Sequence, residues 1–429
     1  MVVNSQIVIG AKVFEKLLDK TRTAKLLSSK TIHTPVLINL KTESASFLLK
    51  LGNDLIELAS CDDRVSSDFT LEATESAWCE LQKPFPKPGF QCLSTMRRTQ
   101  NLKVKGNTKK FNQNLLVLEM LFSNIVDSPL QHDLIDVPFI EKTRGQYLNL
   151  SFENLNYRIF FEEAGSGIPL VCLHTAGSDS RQYRHLLNDS EITKNFRVIA
   201  FDLPWHGKSS PPTGFAETEY RLTTLNYINL VRTFVNALDL ERPVIMGCSI
   251  GGRAVLHLAL SFGDKLGGVI GLQSALFAED RSIGDPNPED ILYRSDVHGG
   301  ELAGALMAGM TAPQSPQNER WETIWHYMQG GPGVFKGDLF YYFDDGDLRD
   351  SNVSDLKNSS CPIYLLNGDY DVSATPEMGN DLAQLIHPEH FEVMREMGHF
   401  PMSENPEGFK RYLVKILDKI INSYTQNGS

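Results

Sequence analysis

The sequence predicts an α/β protein: a mostly parallel, helix-covered sheet carrying a helical lid insertion, with a smaller N-terminal α+β domain in front of it. Three observations point there. Beyond residue 145, five short and nearly continuous apolar runs ("PLVCLHTAG", "RVIAFDLP", "PVIMGCS", "GVIGLQS", "PIYLLNGDYD") alternate with loops and helical stretches, which is how strands buried on both faces of a sheet read. Between residues 275 and 345 the alternation stops and loops mix with helices, so an insertion over the strand ends is expected. The stretch before residue 127 starts strand-like and ends helix-like, and 429 residues exceed one ordinary domain.

In chain order, residues 1–35 are expected to form an N-terminal helical segment. An α+β unit follows over 36–126. In it "FLLKL" and "LIELA" flank the turn "GND", then come "DFTLEA", the helical "ESAWCEL", the break "KPFPKPG", "FQCLSTMRRT", the strand "LKVKG" and one long helix in "FNQNLLVLEMLFSNI". The linker is placed at 127–144, where "DSPLQHDLIDVP" holds two prolines, several acids and no strong period. From 145 to 429 the α/β unit opens with a hairpin, "YLNLSF" and "YRIFFEEA". It then runs through the five apolar strands, the lid at about 275–345, the apolar run in "FEVM" and a closing helix.

Composition excludes several function classes. With 41% hydrophobic and 22% charged residues, and no apolar run near the ~18 residues a bilayer span needs, no membrane span is expected. The opening "MVVNSQIVIGAKVFEKLLDK" lacks a basic n-region, which argues against a secretory signal. A formal charge of −12 repels phosphate backbones, so nucleic acid is not an expected partner, and "KVKGNTKK" reads as a solvated turn. Six scattered cysteines, without a CxxC or a zinc spacing, suit reduced thiols in the cytoplasm. "HGKSS" lacks the glycine-rich cradle of a phosphate loop. No metal and no organic cofactor is implied.

The chemistry concentrates at the ends of the runs, because ligands of open parallel sheets bind beyond the strands' carboxyl ends. In "VIMGCSIGGRAVLHLAL", Ser249 stands between a strand and a helix. Gly247 and Gly251 allow a sharp turn that lifts its hydroxyl and aims the helix N-terminus at it. The bare G-x-S-x-G pattern arises by chance in roughly one chain in seven of this length; the strand before and the helix after make it specific. A hydroxyl needs a base oriented by an acid. "YLLNGDYDVSATP" supplies Asp369 and Asp371 beyond one strand, and "MGHFPMSENPEGF" supplies His399 after the next apolar run.

Over residues 145–423 these segments resemble the α/β-hydrolase fold serine hydrolases: "GCSIGG" is similar to the nucleophile elbow, "GDYD" to the acid loop, "GHFPMSENPEGF" to the segment of the base, and "LHTAG" and "FDLPWHGKS" to the loops after the first parallel strands. The resemblance implies Ser249 as nucleophile, Asp371 rather than Asp369 as acid, and His399 as general base. The oxyanion donors are then the backbone N–H groups of Ile250 and Ala176. "HTAG" departs from the common His-Gly start at Thr175. His174 and His206 read as loop anchors, and Cys248 as a residue turned back into the sheet.

Serine rather than aspartate at the apex argues against epoxide hydrolysis and dehalogenation. The expected reaction is hydrolysis of a carboxylic ester or thioester of a mainly apolar acyl substrate. The alternatives are cleavage of a carbon–carbon bond beside a ketone, and a ligand-binding protein with little turnover. The lid segments "RWETIWHYMQGG" and "FKGDLFYYF" concentrate aromatic residues, and Trp325, His326, Phe335 and Phe340, together with His298, are the candidate substrate contacts. Residues 40–125 resemble a sterol-carrier-protein-like domain. That resemblance implies a lipid or acyl ligand there, against the plainer reading that the unit covers the hydrolase or mediates a homodimer.

Overall fold

The computed structural model describes residue 14 and residues 35–52, 55–61, 66–123, 137–278 and 299–427. The expected helical segment 1–35 falls outside these except for Phe14. The expected linker 127–144 falls outside up to residue 136, and so do residues 279–298 of the expected lid, His298 among them.

The N-terminal unit is a five-stranded sheet with order β3-β2-β1-β4-β5, formed by β1 (Val36–Lys41), β2 (Ser46–Gly52), β3 (Leu55–Ser60), β4 (Phe69–Glu72) and β5 (Lys103–Gly106). Only β1 and β4 pair in parallel; the other pairs are antiparallel. The single helix expected from "FNQNLLVLEMLF" is two, Thr108–Gln113 and Leu115–Phe122. Asn114 divides them, and its side-chain amide donates to the Lys110 carbonyl at 2.8 Å, the kind of local bond that competes with helix continuation. Every residue of the second helix is buried.

The larger unit is an eight-stranded sheet with order β13-β12-β11-β10-β8-β9-β7-β6. An antiparallel hairpin, β6 (Arg144–Phe152) and β7 (Leu155–Gly165), forms one edge. The other six strands run parallel: β8 (Ile168–Leu173), β9 (Phe196–Phe201), β10 (Val244–Cys248), β11 (Gly268–Leu272), β12 (Ile363–Gly368) and β13 (His390–Met394). Their apolar runs are continuous because both faces are covered. Along β8, Val171 and Leu173 enter one hydrophobic layer, and Leu170 and Cys172 enter the other. Each such side chain contributes about 1.5–3 kcal/mol when fully buried. The order reverses around β8, whose neighbours are β9 and β10, and that is where such sheets open a crevice.

Between β11 and β12 the described residues form helices Gly299–Ala308, Gln317–Met328 and Val334–Phe340, the last running into a wide helical turn over Tyr341–Asp345. Leu302, Ala305, Ala308 and Ile324 of this insertion belong to the hydrophobic core of the N-terminal unit, beside Trp78, Leu118 and Phe122. Among the described residues no helix is long and apolar enough to cross a membrane.

Candidate active site

Ser249 caps the helix Ile250–Phe262 with φ 59° and ψ −112°, a conformation that non-glycine residues adopt only where the surroundings enforce it. Two backbone bonds do so: Ser249 N–H donates to the Leu272 carbonyl at 3.1 Å, and its own carbonyl accepts from Arg253 N–H at 2.9 Å. The turn also needs glycine on both sides. A Cβ at Gly247 would lie 2.4 Å from the Gly251 backbone, and one at Gly251 would lie 2.7 Å from the Leu173 carbonyl oxygen.

His399 follows β13, and its Nδ1 lies 2.7 Å from Asp371 Oδ2. The other Asp371 oxygen accepts from the N–H groups of Ser373 (2.7 Å) and Ala374 (3.2 Å), so the carboxylate is oriented from both ends. Asp369, the competing candidate, instead accepts from Met397 N–H and faces Arg395. Ser249, Asp371 and His399 are all nearly buried. Glu404, which the sequence reading passed over, holds the base segment: its two oxygens accept from the N–H groups of Gly398 and Ala312. Burial pushes its carboxyl up to about 8. Cys248 is fully buried, and its thiol faces the His399 carbonyl oxygen at 3.1 Å.

The loop after β8 is tied on either side of Ala176. Thr175 N–H donates to Gln182 Oε1 at 3.0 Å, and Gly177 N–H donates to Asp338 Oδ2 at 2.7 Å. Among the described residues the N–H groups of Ala176 and Ile250 meet no acceptor, so both remain available to a ligand oxygen. Thr175, where the sequence departs from glycine, bonds through its hydroxyl to Gln182 and to Tyr327 of the lid.

Two histidines brace this loop. Leu203 N–H donates to His174 Nε2 at 3.1 Å, so the ring proton sits on Nδ1, 2.8 Å from the Thr175 carbonyl. Burial, with His206 adjacent, lowers His174 to about 4. His206 has an oxygen acceptor at each nitrogen, Pro204 O at 2.9 Å and Asp338 Oδ2 at 2.8 Å. Burial opposes its charge most strongly, but Asp338, the Pro204 carbonyl and Asp202 together outweigh it and the ring's pKa is raised.

Ser249, His399 and Ala176 line one cavity of about 50 Å³. The insertion between β11 and β12 supplies most of the remaining wall, with Met307, Met310, Tyr327, Phe335, Leu339, Tyr342 and Phe343. Ser373 comes from the acid loop, and Arg98 comes from the N-terminal unit. Of the candidate contacts, Phe335 lines this wall, whereas three others stand elsewhere. Trp325 is 54% exposed. His326 is buried, with Glu322 Oε1 3.8 Å from its Nε2. Phe340 lies beneath the Arg221 guanidinium. The fifth, His298, lies outside the described residues. Arg98, Met307 and Met310 carry no signal in the sequence, because their places depend on how separate segments pack over the sheet.

The sequence profile of the Alpha/beta hydrolase family matches residues 170–411. The chain is 25% identical over 300 residues to bifunctional epoxide hydrolase 2 of Sus scrofa, covering 64% of this chain and 52% of that protein. It is 29% identical over 147 residues to 2-hydroxy-6-oxo-6-phenylhexa-2,4-dienoate hydrolase of Burkholderia cepacia, covering 32% and 49%. A thermophilic esterase from Thermogutta terrifontis superposes with a TM-score of 0.52 at 22% identity, covering 64% of this chain and 99% of that one. The chain spans about half the length of these two curated relatives, and 29% of that of an uncharacterized protein of Mycobacterium tuberculosis. The profile match runs from β8 through the elbow and the acid loop to the segment after His399, which is more than half of the chain, and on that ground the protein belongs to the alpha/beta hydrolase family.

Proposed function

We propose that the protein is a serine hydrolase that cleaves a carboxylic ester or thioester of a mainly apolar acyl substrate. In this reading Ser249 Oγ attacks the acyl carbonyl while His399 Nε2 takes the hydroxyl proton. The carbonyl oxygen becomes an oxyanion held by the N–H groups of Ile250 and Ala176. His399 then gives the proton to the departing alcohol or thiol, leaving an acyl-enzyme, and a water activated by the same imidazole releases the acid. Asp371 keeps the Nδ1 proton in place and stabilises the imidazolium. Each oxyanion donor is worth roughly 3–4 kcal/mol in such sites.

One observation carries the proposal. His399 is paired with Asp371 at 2.7 Å and shares a cavity wall with Ser249 and Ala176. The test is labelling by a fluorophosphonate followed by turnover of 4-nitrophenyl esters of graded acyl length. The wild type is expected to be labelled at Ser249 and to turn over short or medium acyl esters. Ser249→Ala is expected to fold normally and lose both; an active Ser249→Ala protein rejects the assignment. Labelling without ester turnover directs attention to the second reading, carbon–carbon bond hydrolysis beside a ketone, which the similarity to the Burkholderia cepacia enzyme supports over about a third of the chain. Absence of labelling supports a binding protein.

For the N-terminal unit, a core filled by Phe14, Phe69, Trp78 and Phe111 favours a covering role over a lipid-holding one. A cytoplasmic location is supported by the six cysteines, none of them in a disulfide.

A further inference from the structure

We propose that the N-terminal unit is part of the catalytic apparatus: Gln91 and Thr95 are positioning residues that hold Asp371 and His399 at the separation their hydrogen bond needs. The proposal rests on the reading of that pair as acid and base, and it gives a role in the reaction to a segment outside the sequence that matches the hydrolase family.

Each member of the pair is reached through one peptide group. The peptide joining Tyr370 to Asp371 is held at both polar atoms: Gln91 Nε2 donates to its carbonyl at 3.3 Å, and its N–H, that of Asp371, donates to the Gly368 carbonyl at 3.2 Å. The Tyr370 side chain repeats the tie, since its hydroxyl donates to the Pro86 carbonyl at 3.0 Å and accepts from Gln314 Nε2 at 2.8 Å. On the side of the base, His399 N–H donates to the Met310 carbonyl at 2.8 Å. The peptide joining Gly309 to Met310 is again held at both polar atoms. Thr95 Oγ1 donates to the Gly309 carbonyl at 2.5 Å, and Met310 N–H donates to the Met307 carbonyl at 2.9 Å. The approach is close, because a Cβ at Gly309 would lie 2.2 Å from the Cys92 sulfur.

The segment that makes these ties is itself anchored. Gln91 Oε1 accepts from Gly89 N–H at 2.7 Å. At the start of the helix Leu93–Arg98 the N–H groups of Leu93 and Ser94 donate to the buried Glu119 carboxyl at 2.8 and 2.7 Å. At its end Arg98 donates to Ser373 Oγ at 3.1 Å, a third tie to the acid loop. Gln91 and Thr95 are 5% and 2% exposed, so their bonds are made where water competes little. An acid and a base carried on separate loops and paired at 2.7 Å tolerate little relative movement, and a misplacement of about 1 Å can cost about 10²-fold in rate.

The test uses the full chain and the variants Thr95→Val, Thr95→Ser and Gln91→Met. Valine keeps the shape of threonine without its hydroxyl, whereas serine keeps the hydroxyl. Rates are expressed per site labelled by the fluorophosphonate, so that a loss of folded protein does not enter. Thr95→Val and Gln91→Met are each expected to lower kcat for 4-nitrophenyl esters about tenfold or more with KM changed less than about twofold, and Thr95→Ser to stay within about threefold of the wild type. The low-field proton resonance of the His399 Nδ1–H bonded to Asp371 is expected to shift or broaden in Thr95→Val and Gln91→Met and to match the wild type in Thr95→Ser. A merely structural role lowers the melting temperature but leaves kcat per labelled site and the resonance as in the wild type, and that result overturns the proposal. The resonance also separates the two readings. In a protein that is neither labelled nor turns over ester, a resonance altered in Thr95→Val keeps the positioning and removes the nucleophile; an unaltered one removes both.

Discussion

In the proposed mechanism Asp371 sets the direction of proton flow through its two oxygens. Since Oδ1 is committed to the N–H groups of Ser373 and Ala374, Asp371→Asn must keep its carbonyl oxygen there and turn its NH₂ toward His399. The imidazole then has to accept at Nδ1 and carry its proton on Nε2, where it cannot take one from Ser249. A fall of about 10⁴ in kcat with near-normal folding is expected, read from ester turnover and thermal melts; a fall under tenfold would reject His399 as the base. His174 makes a different residue-scale argument. Its neutral ring accepts from Leu203 N–H, and with the folded pKa lowered from 6.5 to about 4 by burial and by His206, folding favours the deprotonated form. The stabilisation is complete above pH 6.5 and drains away as pH falls toward 4, by about 3 kcal/mol at most. Denaturant unfolding of the wild type and His174→Asn across pH 4–8 should show the wild type losing stability relative to the variant below pH 6.5, and parallel profiles would contradict it.

The helix Val334–Phe340 of the insertion reaches the loop that holds Ala176 through one side chain. Asp338 is fully buried and accepts from Gly177 N–H, from His206 and from Tyr220 OH at 2.7–2.8 Å, so it ties the insertion to the loop that presents Ala176 N–H. Asp338→Ala leaves the buried His206 ring, the Tyr220 hydroxyl and the Gly177 N–H without their shared partner, at a cost of about 1–3 kcal/mol for each buried group left unsatisfied, and frees the loop. The expected kinetic loss is about 10²–10³ in kcat, the size of one missing oxyanion donor, and a variant that loses stability but keeps kcat would show that the tie is not needed for catalysis. Elements differ in how legible they were. Strands β8 to β12 were readable because two covered faces force apolar runs, and the elbow because a positive φ between two close-packed glycines restricts the residues that fit. The lid was readable as an insertion but not in its facing. "RWETIWHYM" has aromatic residues on several sides of its helix, and only packing decides that Tyr327 reaches the cavity while Trp325 faces solvent. The break at Asn114 was hidden for a similar reason, since apolar periodicity runs on through a residue whose side chain interrupts the helix locally. Arg98 was invisible because its place in the cavity wall comes from the docking of one unit on another.

At the scale of the molecule, the two units share a core, and this constrains how the cavity can open. Leu302, Ala305, Ala308 and Ile324 are lid residues by sequence, yet they pack with Leu118, Trp78 and Phe122 of the N-terminal unit, and the helix Gly299–Ala308 packs on both Leu93–Arg98 and Leu115–Phe122. Moving that helix away from the sheet must either separate the shared core or carry the N-terminal unit along. Separation would expose several fully buried side chains at about 1.5–3 kcal/mol each, so joint motion is the cheaper course. Ile324, fully buried on the lid side of this core, reports on the coupling without touching the candidate catalytic groups. Ile324→Ala is expected to cost about 2–4 kcal/mol through the cavity it leaves, and the loss should be felt across the boundary. Amide hydrogen exchange in β1, β2 and β4 should accelerate together with that of the lid helices, as one cooperative unit. If exchange quickens in the lid while the N-terminal sheet keeps its protection, the units open independently, and the N-terminal unit holds Arg98 in place only through the polar bonds of its short helix.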